Sequence, residues 1–264
     1  DGVQLLEKSK SFTAKDSKKL KAWFSHFLKW LLSHPQAIEE SDQKNNHAIA
    51  YDVQVAAYSL YTGNRKVFSD VLAYFPKRRI ATQIAPDGSQ PHELRRTLAF
   101  GYSQYNLHHI IDLMLMVKHQ GLDFHKYGIR DEHSFFKAMD FLASYMGKSV
   151  KLWPYQQISG WEGKQQEMAC DFYRAYTLDE SRKDYLHIYQ QVKYRDWSDL
   201  FVLLYETPTK IDNAMARANE QLRYALKCTA EARKTAKGDR VTPRSIDKDG
   251  NLVLVGPKDW CSGF

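Results

Sequence analysis

Three polar clusters in the sequence combine side chains that can bind an acidic group and transfer protons. The first is Asn45-Asn46-His47, which places two amides and an imidazole directly before a predicted helix. The second is DGSQPHELRRTLAFGYSQYNL, residues 87–107, and the third is WPYQQISGWEGKQQEM, residues 153–168. All three lie at predicted loop-to-helix junctions and contain more polar groups than packing requires.

The second cluster has a helical spacing that favours a carboxylate site. In a helix that begins near Glu93, Arg95 and Tyr102 are seven residues apart and share a face. Tyr105 and His109 continue the stripe that Tyr102 starts. An arginine beside a tyrosine, near a helix start that favours anions, suits the binding of a carboxylate.

Amide, imidazole, guanidinium and phenol groups together suit β-elimination at a uronic acid. The carboxylate at C6 must first be neutralised, because the C5 proton is otherwise too weakly acidic, and amide and guanidinium donors can stabilise the charge that develops there. A base must then remove the C5 proton, and an acid must protonate the departing O4. Histidine and tyrosine suit these two roles.

The same residues carry a resemblance to a known family. NNHAIAYDVQ followed by DGSQPHELRRTLAFGYSQYNL resembles the alginate lyase superfamily, in which Asn-Asn-His, Glu-Leu-x-Arg and Tyr recur in that order. The resemblance is closest to polysaccharide lyase families 17 and 38 and more distant to family 5. It implies an (α/α) toroid, of which residues 1–205 would form the second half, and cleavage of alginate, polymannuronate or glucuronan to 4,5-unsaturated uronate ends.

The resemblance also implies four catalytic residues. Asn46 would hold the substrate carboxylate, and His47 would act as the base or as a second neutralising group. Arg96 matches the arginine of Glu-Leu-x-Arg, and Tyr102 matches the catalytic tyrosine. In a syn elimination Tyr102 would be both base and acid, whereas in an anti elimination His47 and Tyr102 would share the work. The family's toroids also take cleft residues from a first half, so the chain alone could be inactive.

Six further residues are candidates for substrate binding, because amide, charged and aromatic side chains can line a sugar cleft. They are Asn45, Arg95, Tyr105, Gln157, Trp161 and Glu162. Each has a structural alternative. An asparagine before a helix is a good N-cap, an arginine can lie on a solvated face or pair with a neighbouring glutamate, and a tyrosine or tryptophan at helical spacing is commonly buried.

The sequence predicts no metal site and no cofactor. Cys170, Cys228 and Cys261 fit no metal-ligand spacing and are expected to form no disulfide. His108 and His109 are adjacent and therefore face different directions on a helix. No metal is needed for the elimination itself.

Helical periodicity dominates the chain and predicts an all-α fold, a partial (α/α) toroid of antiparallel helices. Helices are predicted over residues 16–33, 48–62, 64–79, 93–118, 132–146, 162–177 and 181–205. Residues 206–210 read as a linker. Residues 211–264 would form a second domain that starts with a helix over 211–236 and continues with a short strand in NLVLVGPKDW.

The C-terminal stretch RVTPRSIDKDGNLVLVGPKDWCSGF carries a second resemblance. It looks like the opening of unsaturated glucuronyl hydrolases, glycoside hydrolase family 88, whose catalytic aspartates would lie beyond residue 264. Trp260 and Phe264 would at most line its sugar pocket. The pairing is chemically coherent, because such hydrolases remove the unsaturated ends that a lyase creates.

Composition is consistent with an anionic polysaccharide as partner. The chain has a net charge of +7 and a pI near 9.1, but the positive charge is dispersed and no nucleic-acid-binding motif is present.

No apolar run approaches the length needed to span a bilayer. Both ends look like truncations, and the substrate class suggests a periplasmic or extracellular location. The oligomeric state stays open. Two other functions fit the composition, a glycoside hydrolase on a helical toroid and a non-catalytic protein that binds acidic glycans.

Overall fold

The computed structural model describes residues 3, 6–7, 9–192, 242–246 and 252–255. The chain divides into two compact units, residues 1–193 and 194–264. The helices of the first unit are α1 (Ala14–Ser33), α2 (Pro35–Ser41), α3 (Asn46–Thr62), α4 (Arg65–Phe75), α5 (Ala81–Gln83), α6 (Pro91–Leu94), α7 (Ala99–His119), α8 (His125–Gly128), α9 (Phe135–Ala143), α10 (Trp161–Leu178) and α11 (Lys183–Gln191), with a π-helical turn at Pro76–Ile80 and a 3-10 turn at Val150–Leu152.

The predominance of helix agrees with the all-α fold predicted from periodicity. The helices predicted over 16–33, 48–62, 132–146 and 162–177 lie within a few residues of α1, α3, α9 and α10. Local chemistry explains several of their ends. Thr13 and Asp16 form a capping box at the start of α1, and α3 ends at Gly63, whose φ of 82° lies in the left-handed region that glycine adopts most readily.

The core of the first unit lies around α7, which packs against α3 on one side and α10 on another. All three helices contribute apolar side chains that are fully buried. These include Ile49 and Ala56 from α3, Leu107, Ile110, Ile111 and Met114 from α7, and Met168 and Phe172 from α10. The apolar stripes seen in the sequence are therefore the contacts that hold the three helices together.

The prediction of one continuous helix over residues 93–118 is wrong at its N-terminal end. Helix α6 ends at Leu94, and α7 begins only at Ala99. Between them Leu98 pairs with Gln157 in an isolated antiparallel bridge. The Ala99 N–H donates to the Gln156 carbonyl at 2.9 Å. This tertiary pairing takes backbone groups that a continuous helix would use internally, so the chain turns here.

A buried ion pair joins α3 to the π-helical turn. Arg79 Nε donates to Asp52 Oδ2 at 2.7 Å, and Tyr74 donates to Oδ1 of the same carboxylate at 2.8 Å. Arg79 also donates to the Ser41 carbonyl at 2.8 Å, and Arg78 donates to it at 3.0 Å. The C-terminal end of α2 is thereby tied to the centre of the unit.

Short strands complete the described structure. An antiparallel pair, β1 (Ile129–Arg130) and β2 (His133–Ser134), forms a small hairpin that the sequence did not predict. In the second unit β3 (Thr242–Ile246) pairs antiparallel with β4 (Leu252–Val255), and β4 falls in the segment predicted as a strand. The helix predicted over 211–236, the linker at 206–210, Cys228, Cys261 and all of the glucuronyl-hydrolase-like stretch except β3 and β4 lie outside the described residues. Among the described helices, none has the length and apolar character needed to cross a membrane.

Candidate active site

The Asn45-Asn46-His47 cluster forms the first turn of α3. Asn45 is the N-cap, and its side-chain oxygen accepts the His47 N–H at 3.2 Å. Asn46 is buried and His47 is exposed. The structural alternative for Asn45 therefore applies, because its side-chain oxygen accepts a hydrogen bond from the helix backbone. The cap fixes the direction in which the next two side chains project.

Glu93 holds Asn46 with both carboxylate oxygens. Oε1 accepts the Asn46 backbone N–H at 2.6 Å, and Oε2 accepts the side-chain Nδ2 at 2.8 Å. Glu93 is only 1% exposed, and this burial raises the pKa of its carboxyl. The Asn46 hydrogen bonds and the charges of Arg96 and His47 oppose that rise. The sequence placed Glu93 in the Glu-Leu-x-Arg motif and near a helix start, but it did not predict the contact with Asn46.

Arg96 and Tyr102 are in direct contact. The Arg96 guanidinium lies 3.9 Å from the centre of the Tyr102 ring, in a cation–π arrangement, and both side chains are half-buried. Arg95 is exposed instead. The prediction that Arg95 and Tyr102 share a helix face is wrong, because the chain turns between α6 and α7. The turn brings Arg96 onto the tyrosine.

His47 has a carboxylate partner from another helix. Its Nδ1 lies 2.6 Å from Oε2 of Glu40, in the last turn of α2. Both side chains are about half exposed, 47% for His47 and 52% for Glu40. The imidazole is therefore accessible to a ligand while one of its nitrogens is occupied.

The four predicted catalytic residues are connected through Glu93. Asn46 is hydrogen-bonded to its side chain, His47 directly follows Asn46, and the Arg96 N–H donates to the Glu93 carbonyl at 3.0 Å. Tyr102 joins the group through its contact with Arg96. Two separate segments, the start of α3 and residues 93–102, thus bring amide, imidazole, guanidinium and phenol groups into one neighbourhood.

A buried network of amide side chains connects the two segments that carry these residues. The Asn106 side chain donates to Gln83 at 3.1 Å and to Gln90 at 2.8 Å. Gln83 donates in turn to the Asn45 carbonyl at 3.3 Å, and Gln90 donates to the Ser103 carbonyl at 3.1 Å. The network ties the start of α3 to the helix that carries Tyr102. Apart from a surplus of amides, no sequence pattern indicates this network.

Two residues of the third cluster are structural, which corrects their prediction as substrate contacts. Gln157 Oε1 accepts the Phe100 N–H at 3.0 Å and so caps the start of α7, while its Nε2 donates to the Ser159 carbonyl at 2.7 Å. Trp161 is 6% exposed and donates to the Lys148 carbonyl at 2.8 Å. Both side chains therefore hold the backbone of neighbouring segments.

Glu162 and Tyr105 are exposed. Glu162 lies in the first turn of α10, and Tyr105 is 44% exposed with its ring centre 4.5 Å from that of His109. Both side chains are accessible to a ligand, and their role in substrate binding stays a prediction.

A second polar network joins α7 to α10 beyond Tyr105. Asp171 accepts hydrogen bonds from Gln104 and His108, and Arg174 pairs with both Asp171 and Asp112. Burial alone would raise the pKa of Asp112, but the Arg174 charge beside it lowers that pKa to about 2. The Asp171 carboxylate raises the pKa of His108. Within the described residues, no group of three or more His, Cys, Asp or Glu side chains is placed to hold a metal ion.

Comparisons with known proteins identify the family of the chain. A family model described as alginate lyase matches residues 1–153, a range that contains Asn46, His47, Arg96 and Tyr102. The crystal structure of an alginate lyase from Bacteroides ovatus is similar at 41% identity with a TM-score of 0.69. The similarity covers 72% of this chain and 50% of that chain, so this chain spans half the length of its solved relative. No curated protein gives a significant match. The chain belongs to the alginate lyase family.

Proposed function

We propose that the chain forms part of a polysaccharide lyase that cleaves a uronic-acid polymer by β-elimination and leaves 4,5-unsaturated uronate ends. The observation that carries the proposal is the convergence of Asn46, His47, Arg96 and Tyr102 around Glu93. Membership of the alginate lyase family supports it. Alginate, polymannuronate and glucuronan are the candidate substrates.

Each group has a chemical role in this proposal. Asn46 and Arg96 donate to the uronate carboxylate and stabilise the negative charge that develops when the C5 proton leaves. Tyr102 donates a proton to O4 as the glycosidic bond breaks. The contact with the Arg96 guanidinium fixes the position of the Tyr102 ring. His47 is exposed beside Asn46 and can reach the same sugar.

The basic character of the chain supports an acidic polymer as the partner. A net charge of +7 raises the local concentration of a polyanion and speeds its encounter with the protein. Arg95, Tyr105 and Glu162 are exposed and are proposed as contacts for neighbouring sugars. A periplasmic or extracellular location is proposed, because such polymers are usually met outside the cytoplasm.

A glycoside hydrolase on the same helices is the main rival. It needs two carboxyl groups that face each other across the scissile bond. The two carboxylates that contact the cluster are already engaged, Glu93 by Asn46 and Glu40 by His47. Glu93 is also buried below the surface. The site is therefore better suited to elimination than to hydrolysis.

The test uses the whole lyase of which this chain is proposed to form part, and it follows the ultraviolet absorbance of unsaturated uronate ends with polymannuronate, polyguluronate and glucuronan supplied in parallel. Tyr102→Phe is expected to remove at least 99% of the rate, on the order of the hundredfold contribution of one positioned acid. Tyr58→Phe is the matched control, because Tyr58 is a half-buried tyrosine that packs on Phe24 and Phe27.

Three outcomes would count against the proposal. Full activity of Tyr102→Phe would remove the assigned acid. New reducing ends without ultraviolet absorbance would indicate a hydrolase. Binding of the polymers without any cleavage would favour a non-catalytic glycan-binding role.

A further inference from the structure

Glu40 is a carboxylate that the sequence did not associate with the site. It lies on α2, seven positions before His47, and its Oε2 is 2.6 Å from His47 Nδ1. We infer that Glu40 is a positioning residue that sets the tautomer of His47, so that Nε2 is the nitrogen that accepts the C5 proton. This inference rests on the proposed function for its chemical meaning, but the tautomer itself can be measured without any substrate.

The contact fixes which ring nitrogen carries hydrogen. An ionised carboxylate only accepts hydrogen bonds, so a close contact with Nδ1 requires the hydrogen to be on Nδ1. When the ring is neutral, its lone pair is then on Nε2. Without a partner, a neutral imidazole has no such constraint. A carboxylate that holds the other nitrogen of a catalytic histidine selects the tautomer in the same way in other enzymes.

Both partners are held by contacts of their own. Ser41 follows Glu40, and its carbonyl accepts hydrogen bonds from Arg78 and Arg79. His47 follows Asn46, which Glu93 holds at two atoms. The pair is about half exposed, so as an ion pair it adds little to stability. Its geometry is nonetheless set by the ends of two anchored helices, which suits a role in orientation.

Glu40 is placed to pair with His47 after proton transfer. Once His47 has taken the proton it is a cation, and Glu40 lies in direct contact with it. Glu93 holds the preceding residue, Asn46, at two atoms. The Arg96 guanidinium contacts Tyr102 instead. Neutralisation of the substrate carboxylate is then left to Asn46 and Arg96.

The resulting step balances in protons and electrons. The C5–H bond breaks and its proton moves to His47 Nε2, while its electron pair forms the C4–C5 double bond. The C4–O4 bond breaks, and O4 takes the phenol proton of Tyr102. His47 ends protonated and Tyr102 ends as phenolate, and one proton passed between them through solvent restores the resting state.

Nitrogen NMR of the chain with 15N-labelled histidine tests the tautomer directly, at a pH where the His47 ring is neutral. The wild type is expected to show a protonated Nδ1 and an unprotonated Nε2. Glu40→Ala is expected to move the hydrogen toward Nε2, whereas Glu40→Gln keeps it on Nδ1, because the amide oxygen still accepts. Glu39→Ala is the matched control, since Glu39 is an exposed neighbour on the same helix. A wild-type ring protonated on Nε2, or a Glu40→Ala ring unchanged from wild type, would overturn the inference.

Kinetics supply the second readout. Glu40→Ala is expected to lower kcat by roughly tenfold to a hundredfold with little change in KM, the usual effect of losing an orienting partner. Glu40→Gln is expected to recover most of the rate. A rise in KM alone would assign His47 to carboxylate binding and refute its role as proton acceptor. If the whole lyase of which this chain is proposed to form part makes no unsaturated product, the proposed function fails, while the NMR result still decides whether Glu40 sets the tautomer.

Discussion

Glu93→Gln is the substitution that most directly tests how the site is assembled. The carboxylate accepts two hydrogen bonds from Asn46, one from the backbone and one from the side chain. Glutamine keeps the shape but has one oxygen and one NH2 group, so one of the two Asn46 donors must face another donor. With Glu93 only 1% exposed, water cannot fill the gap.

The expected loss follows from the cost of that unpaired donor. A hydrogen bond to a charged group contributes about 1.5–3 kcal/mol, and an unsatisfied buried donor costs about 1–3 kcal/mol. We therefore expect Glu93→Gln to lower the free energy of unfolding by about 2–3 kcal/mol. Activity should fall as well, because the Asn46 amide loses its fixed orientation.

Urea unfolding followed by tryptophan fluorescence measures this change. The transition midpoint should shift while the slope stays the same, which identifies a change in stability alone. Glu162→Gln is the matched control, since Glu162 is exposed and its substitution should stay within about 0.5 kcal/mol of wild type. If Glu93→Gln unfolds at the same urea concentration as Glu162→Gln, the argument that Glu93 secures Asn46 is refuted.

Three further substitutions test the supporting structure, each by urea unfolding. Asp112→Asn should lower the free energy of unfolding by about 1–2 kcal/mol at pH 7, because Arg174 lowers the pKa of the Asp112 carboxyl to about 2. This stabilisation is present above the unfolded pKa of 3.8 and disappears as the pH falls toward 2. An equal loss at pH 7 and pH 3 would contradict this explanation. Arg79→Ala should lower the free energy of unfolding by about 3–5 kcal/mol, because it leaves the Asp52 charge buried and unpaired. Adding Asp52→Asn should restore part of that stability, and no recovery in the double variant would argue against the ion-pair explanation. Gln157→Ala should cost about 0.5–2 kcal/mol by removing the cap of α7, with unchanged oligouronate affinity per folded molecule; a loss of affinity without a loss of stability would restore its role as a sugar contact.

Local patterns in the sequence were enough to predict most of the helices. Apolar residues at helical spacing marked α1, α3, α9 and α10, and an asparagine before the apolar stripe marked the cap at Asn45. These features depend on residues a few positions apart, so the sequence carries them directly.

Features that depend on distant residues were missed. The turn between α6 and α7 exists because Leu98 pairs with Gln157, and no local pattern encodes that pairing. For the same reason Gln157 and Trp161 looked available to a ligand although tertiary contacts occupy them. Motif order predicted Asn46, His47, Arg96 and Tyr102 as catalytic residues, but it predicted neither the contact of Glu40 with His47 nor that of Glu93 with Asn46.

The segment that caps α7 limits how small a working version of this site can be. The family match ends at residue 153. However, the Ala99 N–H donates to the Gln156 carbonyl and the Ile158 N–H donates to the Thr97 carbonyl, so both hydrogen bonds need residues beyond 153. A polypeptide that ends at residue 153 would keep Asn46, His47, Arg96 and Tyr102. It would lose the two backbone hydrogen bonds that hold the turn before α7, the helix that carries Tyr102. Anyone who transplants the motif into a new scaffold must therefore carry residues 154–158 along with it.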